Sequence, residues 1–161
     1  METPVNANIS LLDEVKIQAR VLVPVLRALR SELGAERANL LVINALREWS
    51  HEVFRRIGAS MTGSAKEKWA AFNWEAAARI GTDIETQMLR VEPDAMDFNV
   101  LGCRYADFFR ELGEPELGAV LLCEGDHHIV DAVGPDVQLT RTQTIMKGAS
   151  YCDFRYRMKS S

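Results

Sequence analysis

The densest set of reactive side chains in this sequence is the six-residue run from Cys123 to His128, which holds a thiol, two carboxylates and two imidazoles. A thiolate beside a carboxylate or an imidazole can attack an electrophilic carbon, and the same groups can activate water for hydrolysis. A buried thiol followed by a solvated polar turn would give the same run without any chemistry. Both interpretations stay open at this point, together with a third, a metal site.

The metal interpretation rests on residue types alone. Its ligands would be Cys123, Asp126, His127 or His128, and Cys152. No pair among them has the fixed spacing of known zinc motifs, and the odd number of cysteines is typical of free thiols in a reducing compartment. We therefore expect no metal and no cofactor, with zinc as the weaker alternative.

Arg141 is a second candidate functional residue, because the pattern around it predicts a guanidinium that faces inward. Two alternating segments, 137–146 and 152–158, are typical of strands, and the short link between them predicts an antiparallel hairpin. If Ile145 lies opposite Cys152, then Gln143 lies opposite Phe154, Arg141 lies opposite Tyr156, and Arg141 is on the apolar face. A buried charge needs a partner, which would be Asp126, Asp131 or the carboxylate of a small ligand.

Helical periodicity dominates the chain before residue 124. Five helices are expected: one from the Ser10 cap to Leu29 with a kink or break at Pro24, one from Val42 to a cap at Gly58, one from Ser64 to Met88, one from Leu101 to Gly113, and a short one from Glu114 to about Leu122. These elements would have to hold the reactive run against the hairpin.

The fold class that follows is α+β: a helix-rich single domain with a small C-terminal antiparallel hairpin or sheet packed on the helices. Residues 1–123 are expected to be mainly helical and residues 124–161 mainly strand. The hairpin must lie on the helices or extend a larger sheet, because two strands alone are marginally stable in water.

Composition excludes several classes of partner. A net charge of −4 and a pI near 5.4 give no domain-wide positive field for nucleic acid, and Arg155, Arg157 and Lys159 alternate as on the outer face of an edge strand. The longest uncharged apolar run, Val21 to Leu26, is far short of the roughly 20 residues that span a bilayer. Residues 1–4 show no secretion signal, so a cytoplasmic location is expected.

The C-terminal third resembles the L-2-amino-thiazoline-4-carboxylic acid hydrolase family. The resemblance is carried by four segments between Gly102 and Arg157, namely Cys103–Phe109, Leu121–Asp126, Leu139–Gly148 and Cys152–Tyr156. It implies a bacterial-type hydrolase that opens a small cyclic, amidine-like ring, and its reaction class transfers more safely than its substrate.

The resemblance also implies roles for individual residues. Arg141 would hold the substrate carboxylate, and Tyr105 and Thr142 would donate to developing charge. Either Cys123 or Cys152 would attack the ring carbon between nitrogen and sulfur, or Asp126 or Asp153 would deprotonate a water and then protonate the leaving group. The residues leave the choice between thiol and carboxylate open.

The function that we expect is hydrolysis of a carbon–nitrogen bond in a small cyclic, carboxylate-bearing substrate. The runner-up is a non-catalytic small-molecule or metal-binding, ligand-sensing domain, and the third hypothesis is a helical interaction protein. The partner is expected to be a small-molecule substrate, with no nucleic acid and no membrane, and the sequence allows a homo-oligomer.

Overall fold

Helices pack against one face of a four-stranded antiparallel sheet in the part of the chain that the computed structural model describes, residues 9–134 and 136–159. The strands are β1 (Ile84–Glu92), β2 (Ala95–Cys103), β3 (Val137–Thr140) and β4 (Cys152–Met158), in the order β1-β2-β4-β3. The helices are α1 (Leu11–Leu33), α2 (Ala35–Ser60), α3 (Ala65–Ile80), α4 (Arg104–Glu111), α5 (Pro115–Gly118) and α6 (Gly125–Val133). The predicted α+β class is confirmed.

Two expectations drawn from the sequence, the lack of a secretion signal and of a membrane span, concern where the protein is located. Residues 1–4, in which no secretion signal was expected, lie outside the described residues. No helix within the described ranges combines the length and the apolar character that crossing a membrane requires.

Side-chain caps start two of the first three helices, as the sequence predicts. The Asp13 N–H donates to the Ser10 hydroxyl at 3.1 Å, and Ser64 and Glu67 form a reciprocal capping box. Pro24 lies inside α1, which continues to Leu33 as one helix, so of the two expected effects of this proline, a kink or a break, the break is wrong.

Of the described residues, those in 1–123 are mainly helical, as expected, but they also contain β1 and β2, and those in 124–161 are not mainly strand. The third helix ends at Ile80, and Ile84 and Met88 lie on β1, because Gly81 adopts a positive φ of 55° and stops the helix there. Leu101 lies on β2 rather than on the fourth helix. The segment after residue 124, expected to be mainly strand, begins with α6.

Gly58 is a contact residue rather than the helix end that its position predicts. The second helix continues to Ser60, and a Cβ atom built on Gly58 would lie 2.3 Å from the Ala132 carbonyl oxygen. Glycine is therefore required here by the close approach of α2 and α6. This contact fixes α6 against the long helix behind it.

The predicted strand 137–146 is shorter in the structure, because side-chain hydrogen bonds take the place of backbone hydrogen bonds to a neighbouring strand. β3 ends at Thr140, and the following residues lead into a short 3-10 turn at Ile145–Lys147. The Asp153 carboxylate accepts hydrogen bonds from the amides of Thr142 and Gln143, at 2.9 Å each. Once a carboxylate satisfies these backbone donors, they no longer need a neighbouring strand.

The pairing of β3 with β4 differs from the expected register by two residues. Leu139, rather than Arg141, lies opposite Tyr156. Because side chains alternate with a period of two, this shift keeps the residues of β3 on their predicted faces. Arg141 follows the end of β3, and its side chain is buried as expected. β4 lies between β2 and β3, so the expectation that Arg155 and Arg157 mark an edge strand is wrong.

A buried carboxylate joins the two longest helices to the middle of the chain. Glu114, at 4% relative exposure, accepts two hydrogen bonds from the Arg30 guanidinium at 2.6 and 2.8 Å, and Arg30 Nε donates to Asn39 at 2.8 Å. Charge-assisted paired bonds of this kind are strong where water is excluded. Glu114 therefore anchors the start of α5 on α1 and α2.

We predict that Glu114→Gln lowers the free energy of unfolding by about 3 kcal/mol, because it leaves the Arg30 charge without its partner in a largely buried position. The melting temperature should fall by about 10 °C, measured by circular dichroism. As a matched control, Glu52→Gln removes the carboxylate of an exposed ion pair with Arg55 and should change the melting temperature little. Equal effects of the two changes would contradict the anchoring role of Glu114.

Candidate active site

A widened helical turn at Ala119–Cys123 orients the reactive run Cys123–His128. Ala119–Cys123 forms a π turn between α5 and α6, in which the Glu124 N–H donates to the Ala119 carbonyl at 2.9 Å. The His127 N–H donates to the Glu124 carbonyl at 3.1 Å, and the Cys123 carbonyl accepts a hydrogen bond from Arg141 at 2.7 Å. Such π turns are frequent at functional sites because they redirect side chains and free a carbonyl.

Arg141 is the centre of the cluster that the structure brings together. Its side chain is only 6% exposed, and the guanidinium contacts the Asp126 carboxylate as well as the Cys123 carbonyl. The Phe154 ring lies beneath it, with its centroid 5.2 Å from the guanidinium carbon. Asp126 is one of the two protein partners that sequence analysis proposed for this arginine.

The Asp126 carboxyl group is surrounded by protein atoms but is still accessible to solvent. Desolvation raises the pKa of its carboxyl to about 6, although the charge and the hydrogen bond of Arg141 lower it. The side chain nevertheless keeps 37% of its surface exposed, so water reaches it. A carboxylate with a pKa close to neutrality is suited to accept a proton and return it.

Cys123 and Cys152 lie in the electrostatic field of this ion pair, and Cys103 lies near both of them. Burial raises the pKa of Cys123 to about 12, and the nearby Asp126 carboxylate adds to the effect. Burial also raises the pKa of Cys152 and of Cys103, and the Ile145 N–H donates to the Cys152 sulfur at 3.2 Å. None of these groups has the lowered pKa of an activated thiolate nucleophile.

Asp153 and Thr142 form a separate arrangement that holds the loop carrying Arg141. The Thr142 hydroxyl donates to Asp153 at 2.6 Å, in addition to the two amide bonds described above. Partial burial raises the pKa of Asp153, but these hydrogen bonds outweigh it and keep that pKa below its ordinary value. This carboxylate is therefore an anionic acceptor that shapes the loop.

Tyr105 lies apart from the Arg141 cluster. Its hydroxyl is buried without a hydrogen-bond partner in the structure, and burial raises its pKa, as do the charges of Asp83 and Cys103. Tyr156, which sequence analysis did not select, is 5% exposed and lies in the field of Asp126 and Arg141; burial raises its pKa as well, so it is a neutral phenol. The sequence pattern that could have identified Tyr156 is its position on the same strand face as Cys152 and Phe154.

His127 is a second neighbour of the cluster. Desolvation lowers the pKa of its imidazole, and the positive charge of Arg141 lowers it further, which favours the neutral form near pH 7. Glu124 faces away and forms a two-point ion pair with Arg47 at 2.6 and 2.8 Å. Of the two carboxylates in the reactive run, Asp126 alone therefore joins the Arg141 cluster.

The four residues expected to line one cavity, Cys123, Asp126, Arg141 and Cys152, converge but pack against one another. A groove of about 530 Å³ lies between α6 and β3 and begins at His127, the residue after Asp126. A second groove, of about 510 Å³, lies between α5 and the 3-10 turn and is lined by residues such as Arg110 and Lys147. Neither groove is lined by the four converging residues.

Histidine, cysteine and carboxylate side chains form no group of three that could hold a metal ion within the described ranges. In the reactive run, Glu124 is bound to Arg47 and Asp126 to Arg141, so their carboxylates already have cationic partners.

Comparison with known families decides the relationship of this chain. The model of the L-2-amino-thiazoline-4-carboxylic acid hydrolase family matches residues 14–156. The chain belongs to this family. The match extends far beyond the four C-terminal segments and includes α1, α2 and α3, which carried no recognisable motif in the sequence.

Other comparisons add little to the family assignment. No protein of curated function has a sequence that matches this chain. Among solved structures, the chain is similar to the phenol-responsive sensory domain of the transcription activator PoxR in complex with phenol, at 11% identity and a TM-score of 0.43, over 85% of this chain and 72% of that one.

We predict that Cys123 reacts with a thiol reagent at pH 7.5 about a hundredfold or more slowly in the folded protein than in the urea-unfolded chain, because its raised pKa keeps it protonated. Timed alkylation followed by peptide mass spectrometry would measure each cysteine separately. Labelling of Cys123 at the rate of the unfolded chain would instead identify a reactive thiolate.

Proposed function

We propose that this protein hydrolyses a carbon–nitrogen bond in a small cyclic, amidine-like substrate that bears a carboxylate, similar to 2-amino-thiazoline-4-carboxylate. The observation that carries the proposal is the Asp126–Arg141 pair, a solvent-reached carboxylate with a pKa near 6 inside the region matched by a hydrolase family. The family name supplies the reaction class, and the geometry supplies a general base.

Asp126 accepts a proton from water as the water oxygen bonds to the ring carbon between nitrogen and sulfur and the π electrons of the carbon–nitrogen double bond move to the ring nitrogen. The ring carbon–nitrogen bond then breaks, and the proton held by Asp126 passes to the departing nitrogen. Loss of the second water proton from the new carbon–oxygen bond, with uptake at the same nitrogen, leaves a thiocarbamate and a free amine. One water is consumed, and the carboxylate returns to its starting state.

Arg141 acts as a positioning residue in this proposal rather than as the carboxylate clamp first expected. Its guanidinium is buried and already occupied by Asp126 and the Cys123 carbonyl, so it fixes the orientation of the base and keeps it ionised near neutral pH. The groove that begins at His127 supplies the space for the substrate, since its volume lies in the range of small-molecule sites.

Cys123 and Cys152 lie near the Asp126–Arg141 pair and take no part in the proposed proton transfers. Their raised pKa values favour neutral thiols near pH 7, which supports water rather than sulfur as the attacking group. Tyr156 is a neutral phenol in the field of the same ion pair and is a candidate donor to developing negative charge.

We predict that Asp126→Asn lowers kcat for 2-amino-thiazoline-4-carboxylate by about a hundredfold or more, because the amide cannot accept the proton. Asp153→Asn is the comparison: it weakens the hydrogen bonds that hold the 142–143 loop and should lower the melting temperature while most turnover remains at temperatures where the protein is folded. Cys123→Ser should also retain turnover. Full activity of Asp126→Asn, or loss of activity only in the cysteine variant, would overturn the assignment of the base.

The pH dependence provides an independent test. Because Asp126 must be ionised, kcat/KM should rise with pH through about 6, the pKa of this carboxyl. Arg141→Gln removes a charge that lowers this pKa, so the acidic limb should move to higher pH by about one unit. Arg141→Lys keeps the charge but loses the two-point geometry, so kcat should fall while the limb stays close to its original position. An acidic limb that is unchanged in Arg141→Gln would show that another group titrates.

A further inference from the structure

The first strand has an open edge with which no other described strand pairs. β1 pairs with β2 on one side only, since the sheet order places it at the end. It is nine residues long, and Met88, Leu89 and Val91 on it are 51%, 51% and 71% exposed. A long apolar edge strand leaves unpaired backbone groups that can pair with another chain.

Two of the exposed apolar side chains of β1, Met88 and Val91, belong to the face on which the helices pack. Met88 lies opposite Phe98, which stacks on the buried Phe154 with ring centroids 4.8 Å apart. Val91 lies opposite Met96, which in turn lies opposite the buried Tyr156. The inner face of the sheet therefore continues onto β1, beyond the part that the helices cover.

The other edge of the sheet is different. β3 has four residues and contacts both α6 and α3. A short strand flanked by helices offers little room for an added strand. Association through the sheet therefore favours β1.

A β-bulge makes the sequence of β1 complementary to itself. The pairing with β2 passes from Met88–Phe98 directly to Arg90–Asp97, so Leu89 is an extra residue and Arg90 takes the next ladder position. A twofold axis perpendicular to the sheet and midway between Gln87 of the two copies then places Glu85 opposite Arg90 of the second copy. The same axis places Ile84 opposite Val91 and Thr86 opposite Met88, with each pair on one face.

We propose that two copies of this chain associate by antiparallel pairing of their β1 strands in this register, which joins the two sheets of four strands into one continuous sheet. The twofold axis generates each pair twice, so the interface holds two Glu85–Arg90 ion pairs on the outer face. On the inner face the apolar side chains of both β1 strands meet. Contact of Arg90 with Glu92 of its own strand uses one guanidinium nitrogen and leaves further donors for the second copy.

The alternation of charge and apolar residues selects a second copy as the occupant of this edge. Opposite charges directly across an antiparallel pair stabilise the pair and like charges destabilise it, so charge changes at Glu85 and Arg90 test the register.

The dimer does not depend on the proposed reaction, because none of the residues assigned to catalysis lies on β1.

The experiment is a charge exchange in the full chain, read by sedimentation velocity over a concentration series. The unchanged protein should dimerise. Glu85→Arg alone and Arg90→Glu alone should each weaken the dimer about tenfold or more, because two symmetry-related pairs change from attraction to repulsion. The double variant E85R/R90E restores opposite charges and should recover the dimer.

Glu75→Arg on exposed α3 is the matched control, since it changes the net charge as Glu85→Arg does but leaves β1 intact. Circular dichroism melts should show that every variant is folded. A protein that stays monomeric at all concentrations would overturn the proposal. Single variants that remain dimeric would show that another face associates, and a double variant that stays monomeric would exclude this register.

Discussion

The buried guanidinium of Arg141 is the constraint on which the site depends. A charge at 6% exposure must be compensated, and this arginine obtains a carboxylate from Asp126, a carbonyl from Cys123 and an aromatic face from Phe154. These partners come from the π turn, α6 and β4. The ion pair thereby ties the reactive run to the sheet and determines where α6 can lie.

Two features of the surrounding backbone make this arrangement possible. The π turn releases the Cys123 carbonyl from its usual helical partner, so it can accept from Arg141. The loop after β3 gives up its strand partners to the Asp153 carboxylate and the Cys152 sulfur, which turns the chain inward at Arg141. A helix and a strand are each interrupted, and both interruptions serve the same guanidinium.

The electrostatics of the cluster separate the roles of its members. Burial raises the pKa of the acidic groups in it, but the consequence differs with chemistry: the pKa of Asp126 moves to about 6, within reach of neutral pH, whereas the pKa of Cys123 moves to about 12, far from it. The same low-polarity setting therefore favours a carboxylate that exchanges protons and a thiol that stays protonated. This difference supports water, rather than a thiolate, as the attacking group in the proposed reaction.

Local patterns in the sequence determined a large part of the protein. The caps at Ser10 and Ser64, the strand 152–158 and the inward face of Arg141 were predictable, because capping and alternation depend on residues close in the chain. For the partner of Arg141 the sequence offered Asp126 only as one of three alternatives, beside Asp131 and a ligand carboxylate. The motifs around Cys123 and Arg141 also indicated the family that the whole chain matches.

Only the tertiary structure decided where helix gave way to strand after Gly81, why Gly58 lies inside α2, and which register pairs β3 with β4. It also decided that Asp153 holds a loop while Asp126 meets the arginine, and it added Tyr156 to the cluster. These outcomes depend on contacts between residues far apart in sequence, such as Gly58 with Ala132, and on burial, which local spacing does not encode.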